Sequence, residues 1–183
     1  MGLVVAISGM PGCGKGEFSS IAKKRGIPVF SMGDLIRQEV SRLNLPENPQ
    51  IFGKVAQEMR DEFGEGVLAE KLIEKVNIEA NNAALVIIEG LRGIAEDAIF
   101  RKKLNHNFSI LSIEASSELR FERVQKRKRS EDGDISNFLD RDAREAGWGL
   151  SDIIEAADWR IVNEGDLGSY RVKIENWIEN VLV

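Results

Sequence analysis

Gly9-Met10-Pro11-Gly12-Cys13-Gly14-Lys15-Gly16 follows directly on the apolar run Leu3-Val4-Val5-Ala6-Ile7. The apolar run predicts a strand, the glycines a loop, and a helix opens near Lys15. In that setting G-x-x-x-x-G-K is a phosphate cradle. Glycines let consecutive backbone N–H groups turn toward one anion, the helix N-terminus adds partial positive charge, and Lys15 reaches the outer phosphates. A plain glycine-rich turn is the alternative, and the strand before, the helix after and the extra Gly12 and Gly16 weigh against it. One position departs from the general pattern. The residue after Lys15, ordinarily a Ser or Thr that holds Mg²⁺, is Gly16.

Composition narrows what surrounds this loop. A chain of 183 residues with 43% hydrophobic content suits a single globular domain with a real core, with room for a small insertion. A net charge of −5 argues against a general nucleic-acid binder, which is expected to carry a basic face. A single cysteine excludes an internal disulfide framework and fits a reducing cytoplasm. A phosphate loop at residue 9 leaves no room for a signal peptide, and the longest apolar run, 83–88, is too short to span a bilayer. The expectation is a cytoplasmic protein with no membrane and no nucleic-acid partner. Its oligomeric state is not specified by the sequence.

Taken in order, Glu17 to Arg25 has helical spacing and stops at Gly26, and 27–30 reads as a short strand. Ser31-Met32-Gly33-Asp34-Leu35-Ile36-Arg37 opens a helix running to about Leu43. Further helical patterns cover 51–63 and 67–80 with no strand between, so 31–81 reads as a helical insertion. Lys54 and Arg60 within it are weaker site candidates. Ala84 to Ile88 is a strand buried on both faces of a parallel sheet, ending in Glu89-Gly90-Leu91-Arg92. A carboxylate at the carboxyl end of such a strand suits a magnesium-holding role for Glu89. Another strand at 108–113 precedes a basic helix from Glu118, in which Arg123 and Arg127 share a face. A short helix at 138–146 carries Arg141 and Arg144, and Tyr170 to Leu182 is a packing helix. The lone His106 sits in a turn, with no second candidate ligand nearby in sequence, and reads as a surface turn residue rather than part of a triad or metal site.

Several of these stretches resemble nucleotide kinases. G-x-P-G-x-G-K-G is the loop variant of adenylate kinases and related nucleoside monophosphate kinases, with Glu17 standing where Thr is usual. Ser31 to Arg37 resembles their S-T-G-D-x-L-R, with Met32 in place of Thr. Glu89-Gly90-Leu91-Arg92 is similar to D-G-F-P-R, with Glu for Asp and no Pro. Glu96 stands where adenylate kinases use Gln to read the adenine. Ala157-Asp158-Trp159-Arg160-Ile161-Val162-Asn163-Glu164-Gly165 looks like the A-D-x-x-I-x-N-x-G of dephospho-coenzyme A kinases. The combination looks closest to archaeal adenylate-kinase-related P-loop proteins, and the resemblance spans nearly the whole chain.

That resemblance implies a nucleoside-monophosphate-kinase-like P-loop α/β fold, a five-stranded parallel sheet in the order 2-3-1-4-5 with helices on both faces. It makes 31–81 the acceptor-binding insertion and 128–149 a small lid. The implied cofactors are ATP and Mg²⁺, with the donor held by residues 9–17, that is Gly9, Met10, Pro11, Gly12, Cys13, Gly14, Lys15, Gly16 and Glu17, and by Arg123 and Asn163. Met32, Asp34, Arg37, Arg92 and Glu96 would face a small-molecule nucleotide acceptor, and Glu89 the metal. Lys15, Arg92, Arg123, Arg127, Arg141 and Arg144 would neutralise the transferring phosphoryl group. Asp34 is the base if the acceptor is a hydroxyl. The implied activity is phosphoryl transfer to a nucleoside monophosphate, AMP foremost, or to a dephospho-coenzyme-A-like hydroxyl. The substitutions at Glu17, Met32 and Glu96 favour the competing class, an ATP-binding regulator with slow ATPase and no acceptor.

Overall fold

The computed structural model describes residues 2–127 and 133–183. Its elements in order are β1 (Leu3–Ser8), α1 (Lys15–Lys24), β2 (Val29–Ser31), α2 (Met32–Arg42), α3 (Pro49–Phe63), α4 (Val67–Ala80) and β3 (Leu85–Glu89). There follow α5 (Ile94–Lys103), β4 (Asn107–Glu114), α6 (Ser117–Arg127), α7 (Ile135–Gly147), α8 (Leu150–Glu155), β5 (Trp159–Val162) and α9 (Leu167–Leu182).

The strands pair as β2-β3-β1-β4-β5, all parallel, in the expected order. Period-two alternation makes one sheet serve two cores. Val4, Ala6, Val86 and Ile88 face a layer built from α2 to α5 and α8. Val5, Ile7, Leu85 and Ile87 face Phe18, Ile21 and Ala22 of α1 and Tyr170, Ile174 and Ile178 of α9. A strand with both faces covered must be apolar throughout, which is why β1 and β3 read as unbroken apolar runs. β1 lies between β3 and β4, so the chain leaves it toward both sides of the sheet. The crevice at the carboxyl ends of the strands opens at that point, and the register sets Glu89 beside Ile7 and Ser31 there.

Local chemistry places the helix starts. Ser31, Asn48, Asp134 and Asp166 each accept a backbone N–H from the first turn of the helix they precede, and Pro49 stands at the start of α3 where its missing N–H costs nothing. Two elements differ from the sequence expectation. The helix expected over 138–146 begins at Ile135, because Asp134 caps it. The short α8 follows at once, with Gly149 at φ +94° as its N-cap. The interval between β2 and β3 is filled by α2, α3 and α4. Of the stretch 128–149, residues 128–132 lie outside the described residues and 135–147 is α7. Among the described residues no helix is long and apolar enough to cross a membrane.

Candidate functional site

The loop between β1 and α1 is held from behind by its carbonyls. Arg120 Nη1 donates to Pro11 O (2.9 Å), Asn163 Nδ2 to Cys13 O (2.8 Å) and Tyr170 Oη to Gly14 O (3.1 Å). Carbonyls drawn outward leave the N–H groups facing the crevice, which is the geometry an anion requires. Gly14 at φ +119° has no room for a side chain, since a Cβ there would lie 2.6 Å from Asn163 Nδ2. Gly12 at φ +82° is backed as tightly, with its Cβ position 2.6 Å from Arg120 O. Lys15 arches over the loop, its Nζ donating to Gly9 O and, at 3.1 Å, to Met10 O. Burial pushes the Tyr170 hydroxyl well above its ordinary value, so it stays a donor.

In front of the loop lies a cavity of about 600 Å³. Pro11, Gly12, Gly14, Lys15, Gly16 and Glu17 form its floor, whereas Cys13 is buried in the core beneath. Arg123, Lys126, Arg127 and Asn163 border one end. Arg123 Nη2 donates to Asn163 O at 2.9 Å, so α6, β5 and the loop are tied at a single asparagine. Arg37, Arg92 and Arg141 border the other end, with Glu89 between the two ends. Glu89 Oε2 accepts from Ser19 Oγ at 2.6 Å, one helical turn beyond Lys15. Glu17 turns to Arg171 of α9 at 2.6 Å, which relieves the repulsion expected of a carboxylate beside a phosphate loop.

The arginines at the far end are not bare. Arg37 chelates Asp34 Oδ1 through Nε (3.1 Å) and Nη2 (2.8 Å). Arg92 Nε lies 2.9 Å from Glu145 Oε2 in an ionic contact outside hydrogen-bonding geometry, while Arg141 Nε donates to Glu145 Oε1 at 2.9 Å. Burial alone would push the Glu145 carboxyl up, but Arg92 and Arg141, with Lys15 beyond, hold it down to about 2. Burial pulls the Arg92 guanidinium down, and Glu145 more than offsets this.

Of the expected site residues, Gly9, Met10 and Asp34 do not border the cavity, Asp34 lying beside Arg37, and three more stand elsewhere. Met32 is fully buried in the core under α2, because the helix begins there with its apolar face on β3. Glu96 is fully buried as well. Its Oε2 accepts the N–H groups of Arg92 and Gly93 at 3.0 Å each, and its Oε1 pairs with Arg60 Nη2 at 3.0 Å. It caps α5 and braces the Arg92 backbone, with no face on the cavity, and burial raises its pKa despite Arg60. Arg144 does not border the main cavity; it lies between a smaller one beyond Arg92 and Arg141 and another on the Trp148 side that Arg60 and Glu65 also border. Arg60 is buried and structural, and Lys54 is exposed beside Glu58.

Reading the sequence alone misses Arg120, Tyr170, Ser19 and Glu145. Arg120 is the clearest omission, for it joins Pro11 O to both carboxylate oxygens of Asp142 on α7, at 3.0 and 2.6 Å. Its spacing of three and seven from Arg123 and Arg127 puts all three on one helix face. Ser19 likewise lies four residues from Lys15. Glu145 lies four residues from Arg141, but no spacing in sequence marks its second partner, Arg92, which comes from the turn after β3.

The loop fits a polyphosphate. Glu89 and Ser19 fit a magnesium ion that takes its other ligands from phosphate and water, since no group of three or more His, Cys, Asp or Glu among the described residues could hold a metal by itself.

The comparisons agree with this architecture. A solved shikimate kinase from Bacteroides thetaiotaomicron superposes with a TM-score of 0.62 over 99% of both chains at 13% identity. Shikimate kinase from Acinetobacter baumannii, in complex with shikimate, superposes with 0.57 over 100% of this chain and 93% of that one, at 17% identity. At such identities the likeness concerns the fold, that of P-loop kinases. A family model described as an AAA domain matches residues 8–138. A UPF0200 protein of Methanosarcina mazei is 41% identical over 180 residues, covering 98% of this chain and 95% of the relative. Another, from Pyrococcus horikoshii, is 38% identical over 182 residues, covering 98% of each. A phosphate loop on this sheet, matched along nearly its whole length by those archaeal proteins, makes the chain an AAA-domain protein of the UPF0200 family.

Proposed function

We propose that this protein is an ATP-dependent phosphotransferase that moves the γ-phosphoryl group to a nucleotide-like acceptor. The acceptor is a nucleoside monophosphate, AMP foremost, or a dephospho-coenzyme-A-like hydroxyl. One observation carries this: the phosphate loop and the Arg37, Arg92 and Arg141 side chains line one and the same cavity. An ATPase needs the loop; a second cluster of guanidiniums facing it is what an anionic acceptor requires.

The chain's own groups divide the work by position. Lys15 leaves the loop carbonyls for phosphate oxygens, a stronger charge-assisted partner. Arg123 and Asn163 hold the donor end, and Arg127 and Lys126 add positive charge along the cavity edge. Arg92 and Arg141 sit where negative charge accumulates between donor and acceptor, already oriented by Glu145. Glu89, oriented by Ser19, would hold a magnesium ion or its waters, and that ion, bound with ATP, would supply further neutralisation of the phosphates. A phosphate acceptor needs no base; for a hydroxyl acceptor Asp34, beside Arg37, takes the proton.

A second reading has its own support. Arg37, Arg92 and Arg141 are all engaged by internal carboxylates, as in a nucleotide-binding regulator whose acceptor end is closed. Steady-state consumption of ATP, measured alone and then with each nucleoside monophosphate or dephospho-coenzyme A, separates the two. Acceleration by one acceptor with a phosphorylated product is expected. ATP binding by calorimetry with no acceptor effect would leave the regulator.

A further inference from the structure

Beyond Arg92 and Arg141 the main cavity continues into a narrow one of about 50 Å³, walled by Phe52 and Gly53 of α3, by Trp148 and by Arg144. Arg144 is unlike its neighbours. Arg92 and Arg141 share Glu145, and Arg37 holds Asp34. Arg144 makes no ion pair and no hydrogen bond among the described residues, and its Nε is buried without an acceptor. Burial pulls its pKa down, offset only in part by Glu145, whose carboxylate is already engaged by two other guanidiniums, and by the more remote Asp140. A half-buried guanidinium without a counter-ion is costly, and proteins do not ordinarily leave one so.

Packing holds this group in place. Its plane lies on Gly53, where a Cβ would come 2.7 Å from Nη1 and 2.8 Å from Cζ. On another side it faces the Trp148 ring, with Cζ 5.8 Å from the centroid. Trp148 is itself fixed by its Nε1–H to Gln57 Oε1 (3.1 Å) and by Arg60 stacked at 4.0 Å. The four arginines bordering the narrow cavity face one bordering carboxylate, Glu145, and its volume suits an oxyanion of a few heavy atoms rather than a ring system.

We propose that Arg144 receives a second oxyanion of the acceptor, a carboxylate or phosphate separate from the group that takes the phosphoryl. This rests on the phosphotransferase reading above and narrows it, away from AMP with its single phosphate, to acceptors with two anionic ends. Arg92 and Arg141 take the reacting end, and Arg144, stacked on Trp148 against Gly53, takes the other. Guanidinium geometry favours two parallel hydrogen bonds to such a group.

The test compares two near-isosteric probes, 2-phosphoglycolate and ethyl phosphate, titrated by calorimetry into the protein loaded with ADP and Mg²⁺. Wild type is expected to bind 2-phosphoglycolate about tenfold or more tightly than ethyl phosphate. Arg144→Gln is expected to abolish that preference while leaving the ethyl phosphate affinity within about twofold. Equal affinities in wild type, or a preference that survives Arg144→Gln, overturn the second anion site while the acceptor site stands. Binding of ADP with neither phosphate overturns the acceptor reading itself, and the second site with it. The wild-type comparison needs no variant, so a fold defect in Arg144→Gln would not rescue the proposal.

Discussion

The two ends of the cavity are built by opposite means. At the loop end a few residues close in sequence, within Pro11 to Glu17, border the cavity, and distant side chains only pull their carbonyls into place. At the arginine end the side chains come from α2, from the turn after β3 and from α7, separated by scores of residues, with Arg92 and Arg141 joined through Glu145 and Arg37 paired to Asp34 on its own helix. The donor end is a backbone site in which glycine conformation dominates. Opposite it, the stability of the arrangement depends on how well buried charges are matched. Two buried carboxylates near Arg92, one beside the cavity and one behind it, illustrate the dependence. Glu145 lies between two guanidiniums and is held far below the ordinary carboxylate range, while Glu96, with one guanidinium and two amides, is left above it.

The largest effect expected is on stability at the acceptor end. Glu145→Gln leaves Arg92 buried without its counter-charge and should cost about 3–5 kcal/mol in urea unfolding at neutral pH. Because folding lowers the Glu145 pKa from 4.5 to about 2, its contribution is complete above pH 4.5 and is lost as pH falls through about 2. The gap between wild type and variant should therefore be constant at neutral pH and narrow in acid. A gap that stays constant down to pH 2 would show that Glu145 is not held by its arginines.

Lys15→Ala should act on chemistry instead, lowering phosphotransfer turnover by about 10²–10³-fold with the circular dichroism spectrum unchanged. A loss confined to stability would erase the contrast between the two ends. Next in size is Gly14→Ala. Its φ of +119° and the 2.6 Å approach to Asn163 predict a cost of about 1–3 kcal/mol together with weakened ATP binding, read by thermal melting with and without nucleotide. Smallest is Glu17→Gln. Its partner Arg171 is half exposed, so the pair should contribute less than about 1 kcal/mol, and that difference should vanish in high salt. A large loss of ATP binding in Glu17→Gln would instead make this carboxylate part of the donor site.

The strand, loop and helix around Lys15 were legible because each depends on neighbours in sequence: apolar runs, glycines and capping residues. The sheet order followed from the resemblance to nucleotide kinases, and buried two-faced strands agreed with it. Glu96 was misjudged because its chemistry is decided by what lies against α5, namely Arg60 from α3 and the amides of Arg92 and Gly93. Met32 was misjudged in the same way, since its motif position said nothing of which helix face meets the sheet. Glu145 stands four residues from Arg141 in a helix rich in charge, yet only the fold brings Arg92 to it and makes it the anion around which both arginines are arranged.

The sequence by itself therefore determined the phosphate loop, the parallel sheet beneath it and the strand-end carboxylate at Glu89. These rest on backbone conformation and periodicity, properties that a short window contains. Only the tertiary structure decided which arginines have counter-ions, that Glu96 serves a helix rather than the cavity, and that Arg144 stands unpaired against Trp148 and Gly53. Coulombic and desolvation energies depend on distance and burial, and a linear order of residues specifies neither.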